Sequence, residues 1–307
     1  MSTTDLSRTH GLDAGAEPYR AGTAGYRRVM VAMFAAGMAT FVLLYDVQAL
    51  LPELVRAYDV SPARGTLALS LTTASLAVAL LVAGPLSEVV GRTRLIHVAL
   101  WSSSAVAVAC ALAPSWEVLL GLRVLQGVTL AGLPAVATAY LREELHPSAH
   151  GRAFGLYIGG TALGGMAGRL VTAPVADLAG WRWGLAAAAA FAVVSAALVA
   201  WLLPASRHFV PRLASAGAVV TQARAALRDR ALVALYVLGA CAVGALVAVL
   251  NALGFRLSAP PYGLSVGTIS LVYLVYALGT VSSAVSGRVA DRIGRRATIP
   301  AGCAIAL

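Results

Sequence analysis

Three charged side chains stand inside apolar runs of this sequence: Asp46 in FVLLYDVQALL, Arg123 in LLGLRVLQGV and Arg169 in GGMAGRLVTA. An ionisable group in such surroundings costs several kcal/mol unless it is paired or hydrated. A carboxylate and a guanidinium buried at one depth are therefore each other's expected partners. Asp46 and Arg123 each lie about five residues, ~8 Å of helix, from the same end of their runs. The chemistry open to them is proton exchange at Asp46 with Arg123 modulating it, and Arg169 is predicted to face the same space near Asp46. Gln126, Asn251, Tyr45, Gln48, Tyr273 and Tyr276 are further candidates for a polar lining. Asp46 also reads as an interfacial cap beside LLPEL, and the tyrosines as interfacial anchors.

The runs that carry these residues decide where the chain resides. Of 307 residues, 59% are hydrophobic and 12% charged, and the mean hydropathy of +0.81 is one that no soluble domain sustains. Runs of roughly 20 apolar residues cross a bilayer core of about 30 Å as helices. Spans are predicted at 29–50, 66–86, 95–113, 118–141, 153–178, 184–204, 231–255 and 268–287, with an apolar start of a ninth at 297–307. The fold class is an all-α membrane bundle. Residues 1–28 are polar and hold no apolar core of a cleaved signal, so the tail is expected in the cytoplasm and the first span acts as the insertion signal.

The basic residues agree with that orientation. All 23 are Arg. An inside N-terminus puts 17 of them on cytoplasmic segments and four (Arg56, Arg64, Arg182, Arg256) outside, with Arg123 and Arg169 within spans. The sequence pI of 10.2 is thus loop charge dispersed between apolar spans, which argues against nucleic acid as a partner. Without Lys no Walker loop can form. Cys110, Cys241 and Cys303 lie in apolar runs, and the five His show no paired arrangement. No metal, cofactor or enzymatic activity is expected.

A repeat organises the chain. Gly84, Glu88, Gly91 and Arg92 in GPLSEVVGRTR map onto Gly287, Asp291, Gly294 and Arg295 in GRVADRIGRR at one offset of 203, and YDVS at Tyr58 maps onto YGLS at Tyr262 at 204. That offset equals six spans with their loops. The predicted organisation is a tail at 1–28, a six-helix half at 29–204, a basic connector at 205–230 and a second, partial half at 231–307. Two related halves facing a shared cavity are a transporter architecture. Aligning them places Asn251 roughly opposite Asp46, so the second half keeps a polar group and drops the charge.

The turn of the form G-x-L-x-[DE]-x-x-G-R between spans two and three, repeated between eight and nine, resembles the signature loop of the major facilitator superfamily. LRVLQG at Leu122 to Gly127 is similar to that family's buried Arg-x-x-Gln-Gly element, and GWRWGL to its bacterial efflux members. The resemblance covers essentially the whole chain after residue 28. It implies two pseudo-symmetric six-helix halves with the second incomplete, about eight to nine transmembrane helices being present. It also implies that Glu88 meets the start of span eleven and Asp291 the start of span five, latching the halves; Glu88 stands where Asp is usual. An ordinary cytoplasmic turn is the plainer reading of either copy alone.

Gly160, Gly164 and Gly168 form a smooth stripe on span five that lets another helix approach closely. The stripe also resembles the antiporter element G-x-x-x-G-P-x-x-G-G, with Gly165 in place of its Pro and Arg169 in place of its last Gly. The resemblance implies a monomeric, multi-pass protein of the bacterial inner membrane, with protons and a small molecule as partners besides the bilayer. Proton-coupled efflux by alternating access is the activity expected. Twelve spans are usual in the family, so the chain reads as truncated or as a fragment, and a non-transporting membrane remnant or interaction protein is the alternative.

Overall fold

A computed structural model describes residues 17–209, 221 and 224–275. Among the described residues the chain is helical, its only extended pairing being an isolated bridge between Tyr19 and Leu145. The helices are α1 (Ala24–Tyr45), α2 (Leu51–Tyr58), α3 (Pro62–Gly65), α4 (Leu67–Val90), α5 (Arg92–Ala111), α6 (Trp116–Leu130), α7 (Gly132–Glu144), α8 (His150–Ala179), α9 (Trp181–Leu202), α10 (Arg230–Ser258) and α11 (Val266–Ser270). The stretches 24–45, 62–90, 92–111, 116–144, 181–202 and 230–258 are long and apolar enough to cross a membrane. Helix α8 matches them in length, at 30 residues, and carries more polar positions. The first seven of the eight expected spans are thus present, and α11 begins the eighth. The rest of span eight, the ninth and the turn bearing Gly287, Asp291, Gly294 and Arg295 lie outside the described residues, as does Tyr276.

Two spans differ from the expectation. The first does not run unbroken over 29–50: α1 closes at Tyr45, residues 46–50 turn, and α2 restarts with Pro52 in its first turn. Proline disfavours helix in the residue before it and lacks the N–H that a continuous helix would need there. Span four is likewise α6 and α7 meeting at Ala131, just ahead of Gly132 and Pro134. Elsewhere the ends follow local chemistry. Thr23, Ser61 and Ser115 accept backbone N–H bonds as N-caps. Gly91, at φ 99°, makes the reversal between α4 and α5 in a conformation that L side chains rarely adopt.

The glycine stripe positions the centre of the first half. Gly160, Gly164 and Gly168 of α8 face the carbonyls of Phe34, Met38 and Val42 on α1, so two rows at four-residue spacing lie against each other. A Cβ would sit 2.7 Å from the Phe34 oxygen at Gly160 and 2.6 Å from the Val42 oxygen at Gly168, and at Gly164 it would overlap the Met38 carbonyl. Backbones this close need both rows bare. Around them Val29, Met33, Ala36, Val136 and Tyr140 build one part of the core, and Leu50, Leu54, Leu69 and Leu119 another.

Candidate functional site

The break after α1 is where the buried charges converge. Arg123, on α6, is wholly buried, and its Nη1 donates to Asp46 Oδ1 at 2.9 Å. Its other hydrogen bonds go to backbone carbonyls: Ala68 at 3.0 Å from Nε, Leu44 at 3.3 Å and Leu43 at 3.5 Å. The last carbonyls of a helix lack partners of their own. One guanidinium therefore pairs with Asp46, closes the end of α1 and pins both to α4.

Arg169 approaches the same turn from α8 and is also wholly buried. Its Nε donates to Gln48 Oε1 at 2.6 Å, and Nη1 donates to the Gly165 carbonyl. The guanidinium lies 4.2 Å from the ring centre of Tyr45 and 4.9 Å from that of Tyr273, one ring from each half. Both are cation–π distances. Gln48 then passes the contact on: its Nε2 donates to Asn251 Oδ1 of α10 at 2.6 Å. The Thr172 hydroxyl stands 3.1 Å from the Asp46 carbonyl oxygen, tying α8 to the turn.

The structure thus brings Asp46, Arg123, Arg169 and Asn251 into one cluster, with two differences from the sequence reading. Asn251 meets Gln48 and not Asp46. Gln126 is buried, but its amide donates to the Ser103 carbonyl of α5 at 3.1 Å and serves the contact between those helices. A cavity of about 490 Å³ between α3, α4 and α10 reaches Asn251, with Thr66 and Ser70 on an otherwise apolar wall.

At the opposite end of the bundle, the first signature turn is locked within its own half. Arg92 binds Glu143 at 3.1 Å and Ser87 more closely, and lies 3.8 Å from Glu88. Glu88 is half-buried, and the span-eleven contact implied for it lies outside the described residues. A Cβ at Gly84 meets nothing within 4 Å among the described residues.

Beside that turn is a residue that the sequence did not single out. Glu144 is wholly buried and accepts from Ser206 Oγ at 2.6 Å, Arg207 N at 2.7 Å and His208 N at 3.2 Å. It therefore fastens the start of the connector to α7. Its backbone carbonyl accepts from Tyr19 N at 2.9 Å, which brings in the N-terminal segment too. An acid at a helix end is an everyday feature of sequences, and its four donors come from positions too far along the chain to be anticipated.

A bundle of membrane-length helices with a polar cluster buried between two halves defines a polytopic carrier of the kind that moves solutes between the faces of a membrane. The comparisons specify the family: residues 29–307 match the model of the Major Facilitator Superfamily, and the chain belongs to it. Over 275 residues it is 40% identical to the uncharacterized MFS-type transporter YybF of Bacillus subtilis (strain 168), covering 90% of this chain and 68% of that protein. It is also 40% identical to the inner membrane transport protein YnfM of Escherichia coli (strain K12), covering 89% of this chain and 66% of the relative. Among solved structures it resembles a bacterial homolog of the human lysosomal transporter Spinster, in an inward-facing and unoccupied conformation. That match has a TM-score of 0.70 at 17% identity and covers 90% of this chain and 64% of the other. A D-xylose-proton symporter superposes with a TM-score of 0.60 at 15% identity, over 88% of this chain and 69% of that one. The chain therefore spans about two thirds of the length of these proteins. These relatives are transporters and not enzymes.

Proposed function

We propose that this protein is a proton-coupled antiporter of the bacterial inner membrane that exports a small molecule by alternating access, with its N-terminus in the cytoplasm. The observation that carries this reading is the Asp46–Arg123 pair, a titratable carboxylate buried two residues from Gln48, whose amide bridges the two halves. A proton arriving at Asp46 discharges the carboxylate and weakens its hold on Arg123, which keeps its three carbonyl acceptors. The turn 46–50 is then free to shift, and the shift reaches Asn251 through Gln48. In the described state the halves touch at the end where α1 finishes, through Gln48–Asn251 and Pro52 against Gly254. In this reading that end is the closed, outward one, by the distribution of Arg. The largely apolar wall around Asn251 suits amphipathic cargo.

The test is ethidium retention, and sensitivity to a panel of amphipathic inhibitors, in a pump-deficient bacterial strain expressing the protein. Export that a protonophore abolishes, and that Asp46→Asn no longer couples to the pH gradient, is expected. Export that stays proton-driven in both Asp46→Asn and Arg123→Ala excludes this coupling site.

A further inference from the structure

A second polar contact joins the halves, outside the Asp46–Arg169 cluster. Asp177, in the last turn of α8, turns Oδ2 toward the second half. There it accepts from Ser265 Oγ at 2.6 Å and from the backbone N–H of Gly267 at 2.9 Å. One carboxylate oxygen thus takes two donors from the segment that opens span eight, and hydrogen bonds to an ionised acceptor are stronger than neutral ones. The approach depends on the residue type at 267. A Cβ there would overlap Oδ2, lie 3.2 Å from the Asp177 Cγ and sit 3.5 Å from the Pro174 Cα. Only glycine lets the amide come within reach. Ser265 is held for its part, since its Oγ also accepts from Thr268 N at 3.2 Å as the N-cap of α11.

The contact lies at the closed end of the seam, where α8 and α10 both finish and α11 starts. A rearrangement that opens this end must separate α8 from α11, and the Asp177 bonds resist it alongside the Gln48–Asn251 bond. We propose that Asp177 is a positioning residue for transport: its bonds to Ser265 and Gly267 hold the closed end shut, and their strength sets how often the cavity opens there. The proposal rests on the alternating access proposed above, but its test reads the seam directly and needs no transported solute.

Gly254 is buried in the seam, and a Cβ on it would lie 3.8 Å from the Pro52 Cγ, so a cysteine fits there as a reporter. The Gly254→Cys protein, with Cys110, Cys241 and Cys303 changed to Ala, is reconstituted at full chain length and labelled with a membrane-impermeant maleimide from the side of the Asp46 end. Asp177→Ala is expected to speed labelling by roughly fivefold to a hundredfold, the range that the summed net worth of two intramolecular hydrogen bonds implies. Ser265→Ala is expected to give a smaller rise, because the Gly267 N–H remains. The double variant should label no faster than Asp177→Ala alone. A labelling rate unchanged in Asp177→Ala overturns the proposal, as does a double variant whose effect equals the product of the singles. If Asp177→Ala does not fold, Ser265→Ala decides: an unchanged rate there overturns it as well. A labelling response in a protein that fails the export assay removes the transport reading and leaves the latch. Export with no labelling response removes the latch alone.

Discussion

Gln48 donates to Asn251 across the seam at 2.6 Å, and the two residues are 203 positions apart. The same number separates Gly84 from Gly287 in the repeated turns. The pair is therefore one position seen twice, once in each half. The seam therefore sets equivalent positions of the repeat against each other. Gln48 also accepts from Arg169 at 2.6 Å, which makes the two members unequal.

That inequality can be measured. Asn251→Leu removes one neutral hydrogen bond, worth about 1 kcal/mol, whereas Gln48→Leu also removes the acceptor of a buried guanidinium, worth roughly 1.5–3 kcal/mol. Thermal unfolding in detergent should show a clearly larger fall in Tm for Gln48→Leu. Equal falls would mean that the bond to Arg169 contributes nothing.

Arg123 and Asp46 should respond differently to truncation. Arg123→Ala leaves a buried carboxylate uncompensated and uncaps α1, a loss of about 3–5 kcal/mol. Asp46→Asn keeps an oxygen acceptor for Arg123, whose three carbonyl bonds persist, so its Tm should fall less. A double-mutant cycle should return a coupling well above experimental error. Additive losses would show that the pair is not coupled in the folded protein.

The glycine rows predict a position-specific penalty. Gly164→Ala puts a methyl into the Met38 carbonyl and forces α1 and α8 apart, whereas a Cβ at Gly159 on the same helix meets nothing within 4 Å among the described residues. Folded yield and Tm should fall for Gly164→Ala and hold or rise slightly for Gly159→Ala, because Ala has the better helix propensity. A neutral Gly164→Ala would contradict the close approach.

Near the closed end of the seam, burial pushes the Glu53 carboxyl above its ordinary value of 4.5, with Arg56 opposing the shift and Asp177 adding to it. A carboxyl whose pKa is raised on folding binds its proton more tightly in the folded state. Its contribution to stability is present below the ordinary value and is lost as pH rises through the raised one. Glu53→Gln removes that loss. Its Tm should exceed the parent's at pH 7, with the difference shrinking toward pH 4; a gap independent of pH would show that Glu53 does not titrate in this range.

Much of the architecture was legible in the residues because a bilayer enforces a simple rule: backbone polar groups must be satisfied within the helix, so apolar length maps directly onto spans. Charge cost at membrane depth singled out Asp46, Arg123 and Arg169 for the same reason. The break at 46–50 was less legible, since an apolar run gives no sign that its helix stops inside it. Pro52 was the available signal.

By itself the sequence determined that the chain is a helical membrane bundle, that it is built on a six-span repeat, and which charges had to be buried. Those properties follow from composition and periodicity, which act residue by residue. Only the tertiary structure decided that Gln126 serves a helix contact, that Asn251 pairs with Gln48, and that Glu144 and Asp177 fasten the connector and the seam. A hydrogen bond is settled within a few tenths of an ångström by how two helices cross, and that geometry is written in no single stretch of chain.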